Sequence, residues 1–157
     1  MNGTWIEPEV NWQPIDYLNA DDLNRIENNI GYLYEELNKL PYNIPTQIHK
    51  TWNNKGIPNT SDIERICNNI KKIAEYYYAP PKYELLSVIT SKISLNNRDI
   101  SFLEECLKWI YNEFTILKRN YNSHQVLKQK QFTHAQLINY RHEQIRKDWS
   151  LLVYQHN

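Results

Sequence analysis

The chain has 157 residues, 41% apolar and 13% aromatic, and its 18 basic and 18 acidic side chains cancel to zero net charge. These figures exclude wholesale disorder and disfavour nucleic acid as a partner for the chain as a whole. Two cysteines, Cys67 and Cys106, are too few for a disulfide framework and read as small buried residues, and no window approaches the ~18 consecutive apolar residues of a membrane span.

Met1 to Val10 lacks the apolar run of a secretory signal, and Pro8 interrupts it, so the chain is expected to be made in a cytoplasm and kept there unless something carries it out. The first predicted helix starts at Asn19. Its side-chain oxygen suits an N-cap, and the Asp22 carboxylate three residues on can answer the cap and favour the positive helix end. Leu23, Ile26, Ile30, Leu33 and Leu37 follow at alternating spacings of three and four.

Forty residues later the pattern returns. With Trp12 set against Trp52, eight of the nineteen positions from Trp12 to Ile30 are identical: Trp12/Trp52, Asn19/Asn59, Asp22/Asp62, Arg25/Arg65, Ile26/Ile66, Asn28/Asn68, Asn29/Asn69 and Ile30/Ile70. Internal repetition of this strength predicts two structural units from one pattern, residues 1–40 and 41–79. The second helix is expected behind the Asn59 cap and Asp62, with Ile63, Ile66, Ile70, Ile73 and Tyr77 along its seam. Pro41, Pro45 and Pro58 keep the segment between the two helices from being continuous helix.

Pro80 and Pro81 close the second unit. Tyr83–Ile93 is open to a short strand or a helix, with helix preferred. A third cap stands at Asn96 and Asp99, followed by Ile100, Leu103, Leu107, Ile110 and Phe114. A weaker fourth falls at Thr133 and Gln136. Behind it Leu137, Tyr140 and Leu151 compete with Ile138, Ile145, Trp149 and Leu152 for the buried face. Residues 115–135 contain no proline or glycine, and whether they are continuous helix stays open. Residues 80–157 are expected to hold degenerate third and fourth helices as a hairpin turning near Arg119–His124.

The first three apolar runs have the spacing of a coiled-coil seam, each too short to be stable alone. Whether the seams close within one chain or between chains is open. On the heptad count Arg25 and Asn28 face outward and Asn29 flanks the seam. The Trp-led segment before each helix can fold back along it, with the indole over the Arg guanidinium and the Asn amides bonding otherwise unpaired peptide groups. Trp12, Arg25, Asn28, Asn29, Trp52, Arg65, Asn68 and Asn69 are therefore the candidate structural and interface residues. They either stabilise each helix start or meet another protein chain.

No catalytic pattern competes with that reading. His49, His124, His134, His142 and His156 lack a second ligand at zinc-helix spacing, and three scattered glycines exclude phosphate-cradling loops. Glu35-Glu36 and Glu104-Glu105 read as solvated pairs. No cofactor, metal or enzymatic activity is expected. Charge is uneven, however: residues 1–40 carry eight acids against two bases, a balance of −6, and residues 116–157 seven bases against two acids, +5. This is either a solvated surface or one end built for the opposite end of another copy or an oppositely charged partner.

The stretch Trp12, Asn19, Ala20, Asp22, Leu23, Asn24, Arg25, Ile26, Glu27, Asn29, Ile30 and Leu33 resembles a motif of tail, baseplate and tail-fibre proteins from phages and prophages of Gram-positive bacteria. The likeness covers residues 10–37 well, 50–75 moderately and little else. In the second copy Asn24 becomes Glu64 and Glu27 becomes Cys67, so if Asn and Glu are the family's contacts, that copy is only structural. The resemblance implies a non-enzymatic virion or tail-particle component that contacts other tail proteins and is homo-oligomeric or present in many copies. The competing expectation is a small helical regulatory module whose basic C-terminal third contacts nucleic acid or an acidic protein. In either case the fold class is all-α, with short capped helices packed as a bundle and Pro- and aromatic-rich extended linkers.

Overall fold

The computed structural model describes residues 3–40, 42–53, 56–92 and 94–154; past Ser123 it describes the side chains of Gln136 and Glu143 alone. Pro41, Ile93 and His156 lie outside the described residues, as do the side chains of Thr133 and of both competing C-terminal stripes. Among the described residues the protein is all-α: α1 Ala20–Asn38, α2 Thr60–Tyr76, α3 Leu85–Thr90 and α4 Asn97–Tyr154, with no strand. The chain forms two units, residues 1–115 and 116–157.

The helix starts follow the predicted chemistry. Asn19 and Asp22 form a reciprocal capping box, and Asn59 and Asp62 form another. Asn96 and Asp99 complete a third, each side chain taking the other's backbone N–H at 3.0 Å. Each such cap stabilises its helix by roughly 1 kcal/mol. The segment at Tyr83–Ile93 resolves as the short α3, with a turn across the Pro81 region ahead of it.

In the first unit the three capped helices run parallel. Arg25 of α1 bonds Glu104 of α4. One heptad further along each helix, Tyr32 and Tyr111 meet with ring centroids 6.0 Å apart. Between α1 and α2 the chain turns back at Asn43, which takes a left-handed φ of 50°, a conformation Asn tolerates better than most residues. It then returns past α1 from Asn38 to Asn24 and past α2 from Asn69 to Asp62. A segment antiparallel to both helices makes the helices parallel to each other.

The predicted seams all point inward. Leu23, Ile26, Ile30, Leu33 and Leu37 of α1, Ile63, Ile66, Ile70 and Ile73 of α2, and Ile100, Leu103, Leu107, Ile110 and Phe114 of α4 are buried, and Tyr77 packs half-buried against them. They belong to one core, so the seams close within a single chain. The four isoleucines at both seam positions of α2 suit more than two strands, since β-branched residues at both positions disfavour a two-helix pairing.

The second unit differs from expectation. Residues 116–154 continue α4 without the hairpin expected near Arg119–His124. Asn120, Asn122 and Ser123 are modest helix formers, yet none stops a helix as proline would. Ser123 Oγ donates back to the Arg119 carbonyl at 2.9 Å, an intrahelical bond that keeps its hydroxyl satisfied. Thr133 consequently lies inside the helix and not at a helix start.

Candidate functional site

The grooves between the three parallel helices hold the connecting segments. Residues 3–18 lie along α1 and α4, residues 44–53 along α1 and α2, and α3 packs on α2. Among the described residues these extended arms have no neighbouring strand, so their peptide groups need other partners. Asparagine supplies them. The Asn29 amide pairs with both sides of Ile6, accepting from its N–H at 3.0 Å and donating to its carbonyl at 2.7 Å. Asn38 grips Ile44 in the same two-way manner, and Asn24 grips Trp52. Asn28 donates to Thr4, Asn69 to Ile48, and Asn97 to Trp12. A primary amide carries one acceptor and two donors, which lets it stand in for a strand edge.

Gly3 allows the start of the first arm to close on the helix. A Cβ there would sit 2.3 Å from Asn28 Oδ1. Trp5 then stacks on Tyr111 with ring centroids 3.9 Å apart and 3° between planes, and Glu7 pairs with Lys108. Trp12 and Trp52 are both buried among the seam residues.

The two arginines make the main ionic links, and not as expected. Neither guanidinium is the cation over an indole. Arg25 directs Nε and Nη2 to Glu104 Oε1 at 3.0 and 2.6 Å, and Nη1 to Asp22 at 3.0 Å. Arg65 grips both carboxylate oxygens of Glu27 and donates to the Ile48 carbonyl at 3.1 Å. Charge-assisted bonds to carboxylate outweigh a cation–π contact, so the carboxylates take the arginines and the indoles go into the core. The cation over an indole is Lys50, 4.0 Å from the Trp52 ring centre. Arg25 is also far from outward-facing, with its side chain only 17% exposed.

The two links share one register. In each, the residue six places after a cap asparagine reaches the residue eight places after another cap: Arg65 of α2 to Glu27 of α1, and Arg25 of α1 to Glu104 of α4. A third link would join Phe102 of α4 to Cys67 of α2, and there the chemistry turns apolar. Cys67 and Cys106 are buried free thiols, each pushed up to about 12 chiefly by burial. Two sides of the bundle are thus locked by ion pairs, and the corresponding positions of the third are apolar, Cys67 within the core and Phe102 packed against it.

The two glutamates that receive the arginines differ electrostatically. Glu27 accepts from Arg65 and from the Trp52 indole N–H at 3.3 Å, with His49 Nδ1 3.7 Å away. Burial pushes its pKa up, but these donors together hold it below the ordinary carboxylate value. At Glu104 burial wins, and the pKa is raised despite Arg25. Glu104 offers Arg25 a single oxygen, while its Oε2 is buried without a hydrogen-bond partner. Glu104 is therefore not the solvated member of a surface pair that its sequence context implied, although Glu105 is exposed.

Of the sequence-derived candidates, Arg25, Asn28, Asn29, Arg65, Asn69, Trp12 and Trp52 all meet at the arm–helix grooves, whereas Asn68 is exposed. Reasoning from the repeat missed Glu27, Asn24, Asn97, Gln47 and Glu104 as partners. Asn24 and Glu27 carried a signal in the motif, and their change to Glu64 and Cys67 in the second copy is accounted for. Asn24 and Glu27 on α1 receive the second arm and the second arginine, and α2 has no following arm of that kind. Gln47 is buried on the second arm, where its amide donates to the Asn69 carbonyl at 3.1 Å.

The described residues contain no cluster of three or more His, Cys, Asp or Glu that could hold a metal ion, and none of their helices is long and apolar enough to cross a membrane. The arrangement fixes extended segments onto a rigid scaffold and displays what those segments leave outside. No protein-family model, no curated protein and no solved structure matches the chain.

Proposed function

We propose that the protein is a non-enzymatic structural component of a phage tail or phage-tail-like particle, placed in the baseplate or at the attachment of a fibre. The reading treats an extended Trp-bearing arm and its helix as the repeated unit, laid side by side in one chain. Its main support is that four motif residues of the resemblance hold segments distant in sequence: Asn24 and Asn29 clamp the arms, and Arg25 and Glu27 tie α1 to α4 and to α2. Such clamping suits a part that must keep its shape under load among neighbours. It needs no cofactor, and its partners are other tail proteins and further copies of itself.

The test is to purify particles from cells that produce this chain and quantify their proteins by mass spectrometry. The chain is expected in a fixed ratio to the tail proteins, and deletion of its gene is expected to leave particles without a baseplate or fibres. Intact, infectious particles that lack the chain refute the proposal.

A further inference from the structure

We infer that copies of this chain join head to tail, the basic segment 116–157 of one copy docking on the acidic and apolar surface that residues 9–21 and Ile57 present on the next. The inference deepens the assembly reading and rests on it. Ile15 and Tyr17, just ahead of the Asn19 cap, are 80% and 90% exposed, and Ile57, two residues ahead of the Asn59 cap, is 88% exposed. Because α1 and α2 run parallel, these side chains share the end of the bundle at which both helices begin. Single exposed apolar residues are ordinary, but a group of large ones at one end marks a contact surface. Glu9, Asp16 and Asp21 are exposed on the same stretch. Glu9 and Asp16 accept local backbone N–H groups of Asn11 and Gln13, bonds that leave the charge uncompensated.

The complement lies in the same chain. Segment 116–157 carries seven bases and two acids. Its described residues form a single helix, with no second element among them to pack against. Where its side chains are described it exposes Ile116 and Tyr121 beside an exposed Arg119. A lone helix gains stability by packing, and the charges choose the surface. Tail against tail sets +5 on +5, whereas tail against head sets +5 on the exposed acids Glu9, Asp16 and Asp21. A contact between two different surfaces of one chain is heterologous, and it propagates into a ring or an open array.

The experiment is analytical ultracentrifugation of the full chain over a hundredfold range of concentration, in low salt and in 0.5 M salt. Two variants accompany it. The head variant carries Ile15→Ser and Tyr17→Ser. The tail variant carries Arg119→Glu, Arg141→Glu and Arg146→Glu; its bases fall to four and its acids rise to five, which takes the segment from +5 to −1. Circular dichroism establishes that both are folded. The native chain is expected to form species larger than a dimer that grow with concentration and weaken at least tenfold in high salt. Each variant alone is expected to stay monomeric, and their equimolar mixture to stop at a dimer. A native chain that is monomeric throughout overturns the inference, as does unchanged association by either variant. A monomeric chain still found in purified particles would leave the tail-component reading standing.

Discussion

Glu27→Gln tests the ionic side of the bundle. Glutamine keeps the volume and one carbonyl oxygen but sets an NH2 group against Arg65, which now bonds both carboxylate oxygens. Removing one partner of a buried ion pair costs about 3–5 kcal/mol. Arg65 retains the Ile48 carbonyl and has Asp62 Oδ1 at 3.9 Å, and its side chain is 16% exposed, so the lower end applies. A loss of about 3 kcal/mol lowers Tm by roughly 10 °C in a unit of this size. Thermal unfolding followed by circular dichroism at pH 7 measures it. The pH dependence gives an independent check. Glu27 has a depressed folded pKa, so it stabilises the fold above the ordinary carboxylate value of 4.5, and that contribution is lost as pH falls through the folded value. The variant lacks this acid-labile part, so the gap between native and variant Tm narrows as pH falls below 4.5. Glu104 has a raised folded pKa, so its ionisation opposes folding above 4.5, and Glu104→Gln costs less than Glu27→Gln. Equal losses at the two positions, or a Glu27→Gln loss below about 1 kcal/mol, would refute the assignment of Glu27 as the better-satisfied carboxylate.

Other outcomes follow from single features. Asn29→Ala removes both bonds to Ile6 and is expected to cost about 1–2 kcal/mol and to speed proteolysis within residues 3–10; an unchanged cleavage rate there argues against the clamp. Ile66→Ala, at a fully buried seam position, is expected to lower stability by about 2–5 kcal/mol, measured by urea denaturation. Lys82 holds a left-handed φ of 62° without being glycine, so Lys82→Gly is expected to raise stability by about 1 kcal/mol in the same assay, and a loss would show that its side chain contributes elsewhere. Cys67 and Cys106, buried and with thiols pushed up to about 12, are expected to react with a thiol reagent at pH 8 only as fast as the bundle opens. Rapid labelling of the native chain would place them at a mobile surface.

The elements most legible in the sequence were those governed by near neighbours. A cap and its answering carboxylate lie three residues apart, and a seam repeats every three or four, so Asn19, Asn59 and Asn96 and the apolar runs behind them were readable directly. That Asn29 and Asn69 would bond arm peptides was legible in kind, because an extended segment beside a helix leaves donors unpaired, but the peptides they take, at Ile6 and Ile48, lie ahead of Trp12 and Trp52 and not in the Trp-led segments expected. What acceptor each arginine finds was not. Glu104 lies 79 residues from Arg25, and only the mutual register of α1 and α4 brings them together. Arg25 looked outward by heptad count, since the count assumes bare helices and the arms turn that face into a groove wall. The continuity of α4 through residues 115–135 was undecided because helix propensity there is middling and no breaker speaks either way.

The parallel arrangement has a cost in time. Most small helical bundles join antiparallel neighbours and close contacts between residues near each other in the chain, which makes them fast folders. Here the Arg25 ion pair cannot form until Glu104 has been synthesised, several seconds after Arg25 at about 5–20 residues per second. During that interval the first helix carries a greasy stripe with no third partner. Slow refolding for an all-helical protein, and dependence on chaperones while the nascent chain emerges, are the kinetic signature this topology should leave.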